Sequence, residues 1–245
     1  MSVTHLSTTG FVVVALAIFF ASCMQASIGF GMGMLAAPIV AIVDPALVPG
    51  TLIMLAVLVT TMVLVREGTS LDLSGASWAL AGRIPGTILG ALLLVALPER
   101  GLALMLAAVV LAGIALTSFG WIPLPRRRNL VMAGAASGLL GTATSIGGPP
   151  MALVWQRNTG AKLRSTMSAF FLVGSIMSLG ALAVAGAIDR HTALLFVILA
   201  PATILGYILS RYVNRVMDKR RLRLTAIIVS TIGAVVLIGQ QLTAL

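Results

Sequence analysis

Two interruptions in a long apolar sequence hold the groups that could bind something. The first runs Gln25-Ala26-Ser27-Ile28-Gly29-Phe30-Gly31-Met32-Gly33, with Pro38 beyond it. The second runs Thr142-Ala143-Thr144-Ser145-Ile146-Gly147-Gly148-Pro149-Pro150. Proline has no amide hydrogen and clashes with the preceding helical turn. Glycine admits backbone conformations that other residues avoid. Each run therefore predicts a helix that breaks and restarts. A restarted helix exposes amides that have no acceptor of their own, and these attract anions.

The neighbouring side chains fit the same chemistry. Hydroxyls stand at Ser27, Thr51, Thr142, Thr144, Ser145, Ser165 and Thr166, and Gln25 carries an amide that is costly to bury without a partner. With Gly29, Gly31, Gly147, Gly148 and Pro149 at the breaks, they predict recognition of a small anion. A blander reading stands beside this one. Glycines in membrane helices serve close packing, and a lone Ser or Thr bonds its own helix.

Arg83 differs in kind, as the one charged residue inside an apolar run. At a helix centre in lipid it costs about 2.5–3.5 kcal/mol. It either faces a pathway and attracts an anion, or pairs with a carboxylate such as Asp72, or with backbone carbonyls, as an anchor.

Catalysis finds little to work with. The only histidines, His5 and His191, lie at a terminus and a loop edge. The single cysteine, Cys23, allows no disulfide within the chain and no thiolate metal cluster. No Gly-rich nucleotide loop is present, and Asp44, Asp72 and Asp189 fall at the edges of apolar runs. The sequence is read as a non-enzyme without cofactor or metal.

The elements that position these residues follow from composition. Of 245 residues, 59% are hydrophobic and 9% charged, with a mean hydropathy of +1.11. A soluble domain carries roughly 25% charged residues, and its exterior must be wet. Lipid is the solvent that fits. The net charge of +10 does not point to nucleic acid. The basic residues sit between apolar runs, as the positive-inside bias requires. The partners expected are a small anion and membrane lipid, with a homo-oligomer allowed.

Apolar runs fall at about 8–27, 31–43, 46–65, 74–96, 101–120, 129–143, 147–156, 164–187, 191–211 and 224–243. A full span needs about 20 residues. The pairs 8–27/31–43 and 129–143/147–156 are each joined by a break and have a short second member. Each is a broken hairpin or two tilted crossings, and either returns the chain to its starting side. Met1 to Gly10 lacks Lys and Arg, so the first run is read as a retained helix rather than a signal peptide. With Arg126 to Arg128 cytoplasmic, 13 of the 16 Lys and Arg fall inside, and both termini fall in the periplasm.

The chain also repeats itself. Pro85-Gly86-Thr87-Ile88-Leu89-Gly90 matches Pro201-Ala202-Thr203-Ile204-Leu205-Gly206 at an offset of 116. Ser27-Ile28-Gly29 is echoed by Ser145-Ile146-Gly147, and Gly50-Thr51 by Ser165-Thr166. The expected fold is an all-α polytopic membrane protein of two inverted repeats. Each repeat is a Gly-broken helix pair plus three transmembrane helices. Residues 1–120 form the first repeat, 121–128 a basic cytoplasmic linker, and 129–245 the second. Paired breaks in inverted repeats point to a substrate site.

With these runs in view, and with Lys162-Leu163-Arg164-Ser165-Thr166-Met167-Ser168-Ala169-Phe170-Phe171, the chain resembles the sulfite exporter TauE/SafE family. The resemblance implies a transporter in the bacterial inner membrane. Its substrates would be small sulfur-containing anions such as sulfite, thiosulfate or an organosulfonate. Alternating access is expected, with one half rocking against the other about a midplane site. A membrane scaffold, or a carrier of a different small solute, is the alternative. The first break departs from the family's commoner Gly-Gly-Gly form, since Phe30 and Met32 are interspersed.

Overall fold

The computed structural model describes residues 7–68, 71–118, 123–158, 160–216 and 219–243. Their regular structure is helical, with no strand among the described residues. The first five helices are α1 (Thr8–Ile28), α2 (Met32–Val43), α3 (Gly50–Glu67), α4 (Leu73–Ala96) and α5 (Glu99–Ser118). They are followed by α6 (Arg127–Thr144), α7 (Gly148–Val154), α8 (Gly160–Val184), α9 (Arg190–Val216) and α10 (Lys219–Thr243). Met1, Leu245 and the first residues of the basic linker lie outside the described residues, as do the side chains from Arg215 to Arg223.

α1, α3, α4, α8 and α9 are long and apolar enough to cross a membrane. Their outer faces carry exposed Leu16, Phe20, Ile88, Leu92, Ile204 and Ile208, while Gln25, Arg83, Ser137 and Thr142 are buried. Apolar outside and polar inside is the arrangement lipid selects. The chain is a multi-pass membrane protein.

The helices that follow the two breaks are short. α2 has 12 residues and α7 has 7. At 1.5 Å per residue they rise only about 18 and 10 Å, against a hydrocarbon core of about 30 Å. Neither is long enough to cross alone. The backbone shows why the two pairs break there. α1 ends at Gly29, φ 91°, and α2 starts after Gly31, φ 113°. α6 ends at Ser145, φ 64°, the one non-glycine with positive φ among the described residues. Pro149 and Pro150 then open α7, where a missing amide hydrogen is harmless.

Helix packing is reciprocal. α4 lies on α6 as α9 lies on α1, α5 meets α7 as α10 meets α2, and α4 meets α8 as α9 meets α3. α3 packs on α8 between them. Exchanging α1–α5 for α6–α10 maps these pairings onto one another, and α3–α8 onto itself. The caps Gly29 and Ser145 stand at the same 116-residue offset as Pro85 and Pro201.

The α4–α6 seam is backbone on backbone. Gly82 and Gly86 sit against the carbonyls of Val131 and Ala135, and Gly134 sits against that of Ala79. A methyl on Gly138 would come within 2.6 Å of the Arg83 carbonyl oxygen. Gly206 of α9 meets the Phe19 carbonyl of α1 in the same way. Close approach through small residues is how membrane helices associate without a hydrophobic driving force.

Candidate functional site

The two breaks meet. They enclose a cavity of about 40 Å³, room for roughly three waters on the scale where one needs 10–15 Å³. Its walls are Gln25 and Gly31 to Met34 from the first break, and Ser145 to Gly148 from the second. α3 adds Leu52, Ile53 and Ala56, α8 adds Phe171 and Ser175, and α4 adds Arg83. Gly33 has no space for a side chain, because a methyl there would lie 2.6 Å from the Ser145 carbonyl carbon.

Gln25 shapes the first break. Its Oε1 accepts the Met32 amide at 3.0 Å, leaving the side-chain NH2 as a donor. The α2 ladder then begins with Leu35 N–H to the Gly31 carbonyl, 3.1 Å. The amides of Gly33 and Met34 stand ahead of that ladder, and both residues line the cavity.

Arg83 is 2% exposed. Its Nη1 donates to Ser137 Oγ at 3.2 Å, and its Nη2 to Ser178 Oγ at 3.5 Å. The guanidinium stands 4.9 Å from the Phe170 ring centre and 5.8 Å from that of Phe171. Its stem passes over Gly174, where a methyl would collide with the guanidinium. No carboxylate pairs with it among the described residues. Asp72 instead caps α4, accepting the Gly75 amide at 3.0 Å. The hydroxyls that hold Arg83 are themselves anchored. Ser137 donates to the Gly147 carbonyl at 2.7 Å, and Ser178 to that of Gly174 at 2.9 Å. Thr142 meets Ser178 at 2.8 Å. Hydroxyl dipoles orient a cation without cancelling its charge. The cavity wall therefore carries one buried, oriented and uncompensated positive charge.

Of the residues singled out in the sequence, Gln25, Gly31, Arg83, Ser145, Gly147 and Gly148 come together on this wall. The Ser145 hydroxyl is engaged, donating to the Pro49 carbonyl at 3.1 Å. The others lie off the wall. Thr144 closes the end of α6, donating to the Leu140 carbonyl and accepting the Ile146 amide. Thr51 donates to the Thr192 carbonyl at 3.4 Å, tying α3 to α9. Thr166 accepts the Asp72 amide at 3.1 Å, tying α8 to α4. Ser165 donates to the Lys162 carbonyl. Ser27 is buried without a bonded partner. Gly29 packs on Met167 and Arg164, and Pro149 packs on Gly113.

Sequence reasoning passed over Ser137, Phe171, Gly174, Ser175 and Ser178. Phe171, Ser175 and Ser178 recur at helical spacing and so share one face of α8. That spacing was the available signal. Compared with known proteins, residues 14–237 match the family model described as Sulfite exporter TauE/SafE. No curated protein and no solved structure matches the chain.

Proposed function

The chain belongs to the sulfite exporter TauE/SafE family, and from that membership and the cavity we propose that it is a secondary transporter exporting a small sulfur-containing anion across the bacterial inner membrane. The observation that carries the reading is Arg83, a buried cation with no acid partner among the described residues, on the wall of a cavity between two helix breaks. An anion supplies the missing charge. The amides of Gly33 and Met34 and the NH2 of Gln25 supply neutral donors in place of water.

The reciprocal packing of α1–α5 and α6–α10 supports two repeats. Each contains a broken hairpin, which returns the chain to its starting side, and three crossings. An odd number of crossings inverts the second repeat relative to the first, so the site is read by alternating access from either face. The ends of α3 and α8 fit the sidedness expected from charge. Arg66 and Arg164 meet through Glu67 at one end, which we read as cytoplasmic, with both termini read as periplasmic. Export suits an uncoupled carrier. With the cytoplasm negative, a univalent anion leaves downhill by about 2.3 kcal/mol per 100 mV.

Uptake of labelled sulfite and thiosulfate into vesicles holding the purified protein tests this, with the membrane potential set to either sign. Saturable flux that reverses with the potential is the expected result. No flux of either anion under any gradient overturns the reading.

A further inference from the structure

A charged cluster away from the cavity joins the two halves of the chain. Glu67, the last residue of α3, uses both carboxylate oxygens. Oε1 accepts from Arg66 Nε at 3.0 Å, and Oε2 from Arg164 Nε at 2.6 Å. Arg66 reaches further. It donates to the Ala26 carbonyl in the last turn of α1 at 3.1 Å, and to Ser210 Oγ on α9 at 3.4 Å. The Tyr207 ring centre lies 4.9 Å from its guanidinium. One carboxylate thus clamps α8 to α3, whose end is already held to α1 and α9. The three charged side chains are only 13–18% exposed, so the pairs are less screened than open surface ion pairs.

The position matters as much as the bonds. The first break runs beside the cluster, since a methyl on Gly29 would lie 3.3 Å from Arg164 Cα. Ala56, on the cavity wall, lies about 15 Å along α3 from Arg66 at helical rise. The cluster stands between the cavity and the Arg66 side of the membrane. Among the described residues, no ion pair joins α3 to α8 at their other ends.

We propose that Arg66 and Arg164 form an anion-receiving gate, and that Glu67 is a tethered anion filling it while the gate is shut. The proposal rests on the reading that the substrate is an anion. Two guanidinium Nε–H groups that hold the two oxygens of a carboxylate offer the same charge-assisted bonds to two oxygens of an oxyanion. An oxyanion arriving on this side competes with Glu67 for the arginines. When Glu67 is displaced, α3 and α8 lose their clamp, and the population shifts toward the state open to that side. Substrate thereby opens the gate on the side where it waits.

The test uses a Cys23→Ser background with Ala56→Cys, which puts a single thiol on the cavity wall of the reconstituted protein. A membrane-impermeant methanethiosulfonate reagent is applied to one face at a time. Glu67→Gln is expected to speed labelling from the Arg66 side about tenfold, within the range of couplings in charged networks, and not from the other face. Methanesulfonate, an organosulfonate that does not attack the reagent, on the Arg66 side should speed labelling of the parent and add nothing in Glu67→Gln. Exchanging the charges, Glu67→Arg with Arg164→Glu, again places one carboxylate between two arginines and should restore the parent rate. That rescue separates loss of the gate from loss of the fold. Labelling of Glu67→Gln at the parent rate, or no rescue by the exchange, overturns the proposal. If the parent transports neither sulfite nor thiosulfate, the transport reading fails, and the labelling of Glu67→Gln still decides the gate.

Discussion

Replacing Arg83 by Met separates a binding cation from a structural one. A univalent anion about 4 Å from the guanidinium gains about 4 kcal/mol at an effective dielectric constant near 20. Desolvation of the anion takes back part of this. At 1.4 kcal/mol per factor of ten, the expected loss of affinity is roughly a hundred- to a thousandfold. Stability should move much less. Ser137 keeps its bond to the Gly147 carbonyl, and Ser178 keeps Gly174 and Thr142, so no hydroxyl is orphaned. The two lost bonds to a charged donor, about 1.5–3 kcal/mol each, are offset by relief of a burial cost of about 2.5–3.5 kcal/mol. Titration calorimetry with sulfite and thiosulfate, beside thermal unfolding in the same detergent, reads both quantities. Arg83→Lys keeps the charge but not the fork that spans Ser137 and Ser178, and should recover part of the affinity. An Arg83→Met protein that binds as the parent does, or one that unfolds, refutes the reasoning.

Other substitutions probe the breaks, the seam and a cap. Gly147→Val places a side chain within 2.8 Å of the Ser137 carbonyl oxygen, and should abolish flux while membrane expression persists; full activity here and in Gly148→Val would remove the breaks from the site. Gly138→Ala meets the Arg83 carbonyl oxygen at 2.6 Å and the Thr87 nitrogen at 2.9 Å, and should lower stability by about 1–3 kcal/mol in thermal unfolding. Gly180→Ala finds nothing within 4 Å, and should leave stability unchanged or raise it by up to about 1 kcal/mol. At the start of α9, the Thr192 hydroxyl and then its backbone amide hold the Asp189 carboxyl below its ordinary pKa. A carboxylate with a lowered folded pKa stabilises above its unfolded value, about 3.9, and loses that contribution as pH falls through the folded value. The difference in Tm between the parent and Asp189→Asn should therefore be present above about pH 4 and close below it.

The breaks were legible because glycine and proline act locally. Gly29, Gly31, Gly147 and Pro149 mark the ends of helices wherever those helices go. The meeting of the two breaks was legible only as symmetry, through Ser27-Ile28-Gly29 echoed by Ser145-Ile146-Gly147 and the Pro85 run echoed at Pro201. The hydroxyls were not legible in the same way. Ser145, Thr51 and Thr166 look alike in sequence, yet each is engaged by a backbone group brought from a distant element. Arg83 announced itself by its cost. The groups that hold it come from α6 and α8, and no local pattern links Ser137 to Ser178. The glycine ladder of α4, Gly82, Gly86 and Gly90, was visible at four-residue spacing, but its facing carbonyls on α6 belong to tertiary structure.

That ladder bears on what moves. α4 and α6 come from opposite halves of the chain, as do α1 and α9, and each pair is joined with little side chain between the backbones. Rocking residues 1–120 against 129–245 would strip Gly82, Gly86 and Gly134 off the carbonyls they rest on. The seams instead make two exchanged blocks, α1 with α3 and α9, and α4 with α6 and α8, sharing the α3–α8 face. The chain is braided, each block drawing helices from both halves of the sequence. Cut in the basic linker and expressed apart, each segment would present half a braid to lipid, with bare glycine grooves where its partner belongs. The two segments should reach the membrane as a stable protein only when made together.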